Sequence, residues 1–271
     1  MKEEKIFVLI STIYANVDSL DLSNFPESND VFYLISVQCE NNKQIRDVAS
    51  KYKEVRSDVS LYAHVSSGLS VNRNYLLSKV ESGIAIIADD DVKYSENTFD
   101  IIRSEYQKND SDYITFMIMT PKNEHREYKN YAKKGHRHSA LSLMKVSSIE
   151  ITFDVKKVVG SGVRFDTRFG LGSGDISKHE ESIFLNDLRK QGLRGRFSKK
   201  YIVCHPYESS GKAKGYQSLE QVKEKFCFFF RYFGFVGVVA GLVLLIKNRS
   251  VFKFGTLNLT KALFHGWRYK I

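Results

Sequence analysis

Cysteine is scarce in this chain of 271 residues. Its three cysteines, Cys39, Cys204 and Cys227, are odd in number and too far apart for zinc-ligand spacing, so neither a disulfide framework nor a structural zinc site is expected. That usage suits a reducing compartment. No Gly-x-Gly-x-x-Gly follows the first apolar run, which argues against dinucleotide binding, and no Gly-x4-Gly-Lys-Ser/Thr occurs, which excludes a P-loop. Internal repeats and low-complexity linkers are missing as well. The apolar run at residues 6–10 follows a flank of mixed charge, Lys2-Glu3-Glu4-Lys5, and is too short for a signal core. It is read as a buried first strand, with the protein on the cytosolic side.

What the chain does contain is enough apolar material to build a core, 42% against 27% charged residues, which rules out global disorder. Four apolar runs dominate the first ninety residues, at 6–10, 31–37, 59–65 and 84–88. Each is short, rich in β-branched residues and not cleanly alternating, as strands buried on both faces should be. Residues 42–55 carry helical spacing through Ile45, Val48, Tyr52 and Val55, and Ser70 is placed to cap a second helix. The β-α-β alternation predicts a parallel sheet with helices on its faces. Further on, a helix is expected from Ser95 to Gln107, strands at 113–119 and 149–153, and a helix from Glu180 to Gln191. Two stretches read as loops: the basic residues 122–139 and the glycine-rich residues 160–174.

Asp89-Asp90-Asp91 directly follows the fourth apolar run. Three adjacent carboxylates repel one another unless a cation neutralises them, which points to a hard divalent metal at a strand end. The end of a parallel strand is also where open α/β sheets hold ligands.

These residues resemble a known family. Gly68-Leu69-Ser70-Val71-Asn72-Arg73-Asn74, then residues 83–92 with the three aspartates, look like the core of family 2 glycosyltransferases. A second block, Phe165-Asp166-Thr167-Arg168-Phe169-Gly170-Leu171-Gly172 followed by Glu180-Glu181, is similar to the segment that supplies the acceptor-side base there. His205 lies where many such enzymes place a late histidine. The resemblance runs over residues 5–211 and implies a GT-A fold, an α/β architecture with a Rossmann-like nucleotide-binding half and an acceptor half around a mixed central sheet.

The resemblance implies roles as well. Asp91 and His205 would ligate Mn²⁺ or Mg²⁺, while Asp89, Asp90, Arg73, Ser11 and Thr12 would face the nucleotide-sugar donor. Glu181 is the expected catalytic base, with Glu180 as fallback. Residues 173–179 interrupt the family pattern; they make Asp175 a lesser rival for the base and are expected to belong to an acceptor loop. A metal-dependent inverting glycosyltransferase of bacterial polysaccharide-biosynthesis type follows, with a glycan or lipid-linked acceptor. The alternative is a catalytically silent, membrane-bound sugar-nucleotide binder or assembly scaffold.

The net charge of +10 is unevenly placed. Residues 212–271 hold eleven Lys and Arg against two acids, so they carry +9 of it and leave residues 1–211 nearly neutral. Within that tail residues 226–246 include a single charge, Arg231, and the cluster Phe228-Phe229-Phe230-Arg231-Tyr232-Phe233 reads like an interfacial anchor. Residues 257–271 form a second apolar element among basic residues. The division expected is therefore a catalytic domain at 1–211 and a helical membrane-associated tail at 212–271, peripheral or monotopic on the cytoplasmic face of an anionic membrane. A homo-oligomer in which the tail packs is the other possibility. No nucleic acid partner is expected, since the carboxylate cluster and the lack of a basic-aromatic motif argue against it.

Overall fold

The β-branched runs all become strands. A computed structural model describes residues 4–53, 56–207, 218–247 and 249–270, with the side chains of Arg249 and Ser250 outside the description. Its strands are β1 (Ile6–Ile13), β2 (Val31–Cys39), β3 (Val59–Val65), β4 (Ile84–Asp89), β5 (Tyr113–Met119), β6 (His136–Arg137), β7 (Ile151–Asp154) and β8 (Gly195–Cys204). They form one sheet in the order β3-β2-β1-β4-β7-β5-β8-β6. The first four strands in that order are mutually parallel, and β7 pairs antiparallel with both β4 and β5. The mixed sheet is the one that the GT-A resemblance implies; the β-α-β pattern alone gave only its parallel half.

Helices cover both faces: α1 (Asn42–Lys51), α2 (Leu69–Leu77), α3 (Thr98–Lys108), α4 (Ala140–Leu143), α5 (Val155–Gly160) and α6 (Glu180–Lys190). Alternate residues of each strand feed two separate cores. Ile6, Val8, Ile10, Ile84, Ile86 and Ile114 join one, while Leu9, Ala85, Ile87 and Phe153 join Leu76 of α2 and Phe184 of α6 in the other. Ser70 does not cap α2. The helix begins one residue earlier, behind Gly68, and the buried Ser70 hydroxyl donates instead to the Phe169 carbonyl at 2.5 Å.

The C-terminal tail holds α7 (Leu219–Phe233), α8 (Gly237–Lys247) and α9 (Thr256–Trp267). The boundary expected at 211–212 lies outside the described residues, as do Lys212 and Lys214. The aromatic cluster is no interfacial anchor: Phe226, Phe228, Phe229 and Tyr232 are buried in a third core shared with Phe169, Ile176 and Ile183 of the preceding half, and Phe230 is buried as well. Arg231 explains why. Its guanidinium reaches Asp166 at 2.6 Å and Asp187 at 2.5 Å, so the single charge in the run faces protein carboxylates. A side chain at Gly266 would meet the Phe230 ring at 2.8 Å, so α9 lies directly against α7. The chain turns at Gly234, and beyond it Phe235, Val239, Leu242 and Ile246 of the tail are exposed, together with Leu257, Phe264 and Trp267.

The Arg231 contacts yield a stability prediction. Replacing Arg231 by Met leaves Asp166 with Arg168 alone and Asp187 with only Lys190 at 3.9 Å, at a cost of about 1.5–3 kcal/mol in urea unfolding at pH 7. Burial pushes the Asp166 carboxyl up, but hydrogen bonds from Arg168 and Arg231 outweigh it and hold it at about 2. A carboxyl depressed on folding stabilises above its unfolded value of 3.8 and loses that contribution as pH falls toward 2. The gap between wild type and Arg231→Met should therefore narrow below pH 4. A gap that is constant from pH 7 to 2.5 would show that Asp166 is not the partner concerned.

Candidate active site

The site forms where β1 and β4 end side by side, with Ser11 opposite Asp89 in register. Alternation then separates the aspartates. Asp89 points to the α2 face and meets Arg73, whose NH2 lies 3.3 Å from Asp89 Oδ1. Arg73 NH1 donates to Glu180 Oε1 at 2.8 Å. Arg73 is only 1% exposed, so its fork is committed to two carboxylates from β4 and α6. In this arrangement it positions Asp89 and Glu180. Ser11 is likewise buried, with its hydroxyl unpartnered among the described residues, and does not open toward a donor.

Asp90 is held on the other side. The Thr12 hydroxyl and Asn16 Nδ2, the latter at 3.0 Å, both donate to Asp90 Oδ2. Thr12 thus fixes a carboxylate rather than presenting a free hydroxyl. Asn72, on α2, ties the neighbouring strand ends together by donating to the carbonyls of Thr12 and Ser36 at 3.2 and 3.0 Å. Ser148 donates to Asp89 Oδ2 at 3.3 Å. Asn16 and Ser148 carry no motif in the sequence, because each is recruited only by the folded chain; Asn72 lies in the block at 68–74, but nothing local gives it this role.

Asp91 is exposed and meets His205, 114 positions away, with Nε2 at 3.2 Å from Oδ2. A backbone bridge between Lys93 and Cys204 brings them together, through N–H···O contacts of 3.1 and 2.8 Å. His205 Nδ1 lies 2.7 Å from the Pro206 carbonyl, which can only accept, so the ring proton sits on Nδ1. Nε2 then presents its lone pair toward a carboxylate unless a cation lies between them. A proton or a metal ion would serve, and an imidazole whose second nitrogen donates to a carbonyl is the usual arrangement of a metal ligand. Among the described residues no group of three His, Cys, Asp or Glu side chains is placed to hold a metal. An oxygen and a nitrogen donor at a strand end fit a divalent ion whose other positions are filled by phosphate oxygens and water.

Glu181 begins α6 beside Glu180. Burial, then the charge of Glu180, holds its carboxyl well above the usual carboxylate range. Glu180 is paired with Arg73, so of the two acids Glu181 is the one left to exchange a proton. The helix N-terminus is brought here by Gly170, whose φ of +105° an L side chain rarely adopts and where a Cβ would lie 3.1 Å from Ser70 Oγ and 3.4 Å from the Glu180 carboxyl carbon. Asp175 is exposed and accepts a hydrogen bond from Tyr269 of the tail. Its loop is pinned by Ile176, which is 3% exposed and bridges back to Arg168 and Gly170.

Parallel strands ending in a carboxylate cluster, with a mixed second half carrying an acidic helix start, define a GT-A architecture. Solved structures of S. aureus TarS share it. Residues 1–349 of TarS in complex with UDP-GlcNAc superpose with a TM-score of 0.60 at 14% identity, covering 83% of this chain and 65% of that one. The UDP complex gives 0.58 at 11%, covering 82% and 63%. The chain thus spans under two thirds of these TarS structures. No family model and no curated protein matches the sequence.

Proposed function

We propose that this chain is a glycosyltransferase that moves a sugar, with inversion, from a nucleoside-diphosphate donor to a hydroxyl of a glycan or lipid-linked acceptor, in cell-surface polysaccharide synthesis. The observation that carries the reading is the pairing of a strand-end carboxylate cluster with Glu181, a separate carboxyl of raised pKa, on the fold of a UDP-GlcNAc-binding protein. In the transfer Glu181 accepts the proton of the acceptor hydroxyl as its oxygen bonds to the anomeric carbon. The bond from that carbon to the diphosphate breaks, and the diphosphate leaves with the electron pair. Arg73 keeps Asp89 and Glu180 in place, and Thr12 and Asn16 keep Asp90. Asp91 and His205 would hold Mn²⁺ or Mg²⁺, which when bound neutralises charge on the diphosphate.

The test is thermal stabilisation by a panel of UDP-, GDP-, CDP- and dTDP-sugars with Mn²⁺. A ligand at 100 times its Kd should add about 2.7 kcal/mol. EDTA, or Asp91→Ala, should remove most of it. No shift with any nucleotide sugar would overturn the reading.

The chain is further proposed to work at the cytoplasmic face of an anionic membrane. Leu219–Lys247 has the length and apolar composition to cross a bilayer, yet its first half is packed inward and the chain turns at Gly234 before α8. The exposed apolar residues of α8 and α9, with Lys247, Lys253, Lys261 and Lys270 among them, suit a surface of anionic headgroups. The protein should co-float with vesicles containing phosphatidylglycerol and not with phosphatidylcholine alone, and Ile246→Glu with Phe264→Glu should abolish it. Concentration-dependent dimerisation without vesicle binding would assign the face to a second copy instead.

A further inference from the structure

The basic stretch 122–139 has so far no role. With the residues up to Lys145 it holds seven Lys and Arg against two acids, on a catalytic half that is otherwise slightly acidic. One of those acids, Glu124, is taken up by the Tyr207 backbone N–H at 2.9 and 3.1 Å. The stretch folds over the outer edge of the sheet, where β6 pairs with β8 and sets His136 opposite Phe197. A cavity of about 440 Å³ opens there.

Its walls have two parts. One is aromatic: the Tyr131 ring lies parallel to Phe197 at 5.9 Å between centroids, and His136 sits 5.4 Å from the same ring. The other is cationic. The buried Glu150 is neutralised by Lys129 at 2.8 Å, and the Lys129 ammonium is further fixed by the Lys145 carbonyl at 2.7 Å. His138 is spent on Thr115 and Ser142, at 2.8 and 3.0 Å, and burial holds it neutral with a pKa pushed down to about 3. With Lys129 and Glu150 cancelling, the charge left facing the cavity is that of the exposed Lys145, with the His136 imidazole beside it. Flat rings with a cation at the rim match a sugar ring that carries negative charge.

The cavity also adjoins the carboxylate centre. Thr115 and Asp89 lie on the same face of the sheet, and the single turn Ser148–Glu150 runs from one to the other, with Ser148 on Asp89 and Glu150 in the cavity wall. We propose that this cavity binds an anionic sugar unit of the acceptor, one bearing a phosphate or a carboxylate, beside the reacting centre. The assignment to the acceptor rests on the glycosyltransferase reading; the anion preference rests on the cavity alone.

Saturation-transfer NMR on the full chain tests it, with glucose 1-phosphate, glucuronate and glucose as probes. At least one of the two anions should bind ten-fold or more tightly than glucose, and the stronger of the two tells phosphate from carboxylate. Lys145→Glu should remove that preference, as should His136→Ala in part, since Lys145 serves the fold through its backbone N–H and carbonyl, which the substitution keeps. Stabilisation by nucleotide sugars should be unchanged in both variants. Equal binding of charged and uncharged sugars, or a preference untouched by Lys145→Glu, would overturn the proposal. Loss of nucleotide-sugar stabilisation in the wild type would instead strike the parent reading and leave the anion preference measurable.

Discussion

Glu181→Gln should lower sugar transfer by about 10²–10⁴-fold while nucleotide-sugar binding persists, because the amide keeps the shape of the side chain but cannot take a proton. Glu180→Gln should behave differently: it loosens the Arg73 contact and weakens folding along with activity. The pH profile separates the two further. A base works only when deprotonated, and burial together with the Glu180 charge raises the pKa of Glu181. Transfer should therefore fall on the acid side at a pH above the ordinary carboxylate range, and the small residual activity of Glu181→Gln should lack that limb. A Glu181→Gln variant with near-normal turnover and an unchanged acid limb would exclude Glu181 as the base, whereas a wild type that binds nucleotide sugars without any turnover would favour the silent-binder alternative.

Arg73→Met should be the most damaging single change to the fold of the site. It leaves Asp89 and Glu180 facing each other without the guanidinium that joins them at 3.3 and 2.8 Å, and breaking such a buried pairing costs about 3–5 kcal/mol. Arg73→Lys should rescue little, since one ammonium cannot span two carboxylates as the planar fork does. The double variant Arg73→Met with Glu180→Met removes one of the two orphaned charges and should recover part of the loss, with a coupling of roughly 0.5–3 kcal/mol in urea unfolding. Additive losses would show that Arg73 and Glu180 do not act as a pair, and the positioning role given to Arg73 would fall with that result.

How much of this could be read ahead of the structure depended on how local the cause was. The strands at 6–13, 31–39, 84–89 and 113–119 are written in runs of Ile, Val and Phe that only a doubly covered sheet would bury. β8 was not legible, because Arg196, Lys199 and Lys200 interrupt it; it lies near the sheet edge with Lys199, Lys200 and Tyr201 exposed. The aspartates and the two glutamates stand out in the sequence because adjacent like charges demand a reason. What hides is what each carboxylate touches. Arg73 and Ser11 look like ligands-in-waiting on the page, and only tertiary burial shows that one is a brace and the other is enclosed. The aromatic cluster at 228–233 is opaque for the same reason: nothing local distinguishes phenylalanines that enter lipid from phenylalanines that fill a third core.

That third core has a consequence for how the protein is made. Phe169, Ile176 and Ile183 leave the ribosome well before Phe226, Phe228 and Leu259, the residues that cover them. At roughly 5–20 residues per second the acidic start of α6 waits several seconds with its apolar flank bare. During that interval the site is unfinished, whatever the sheet has achieved. On the membrane reading proposed above, a bilayer and the nascent domain compete for the same newly emerged helices: α7 completes the third core only if it is claimed inward, while α8 and α9 keep apolar residues exposed outside it. Order of synthesis thus delays the assembly of the base-bearing helix until the tail has arrived.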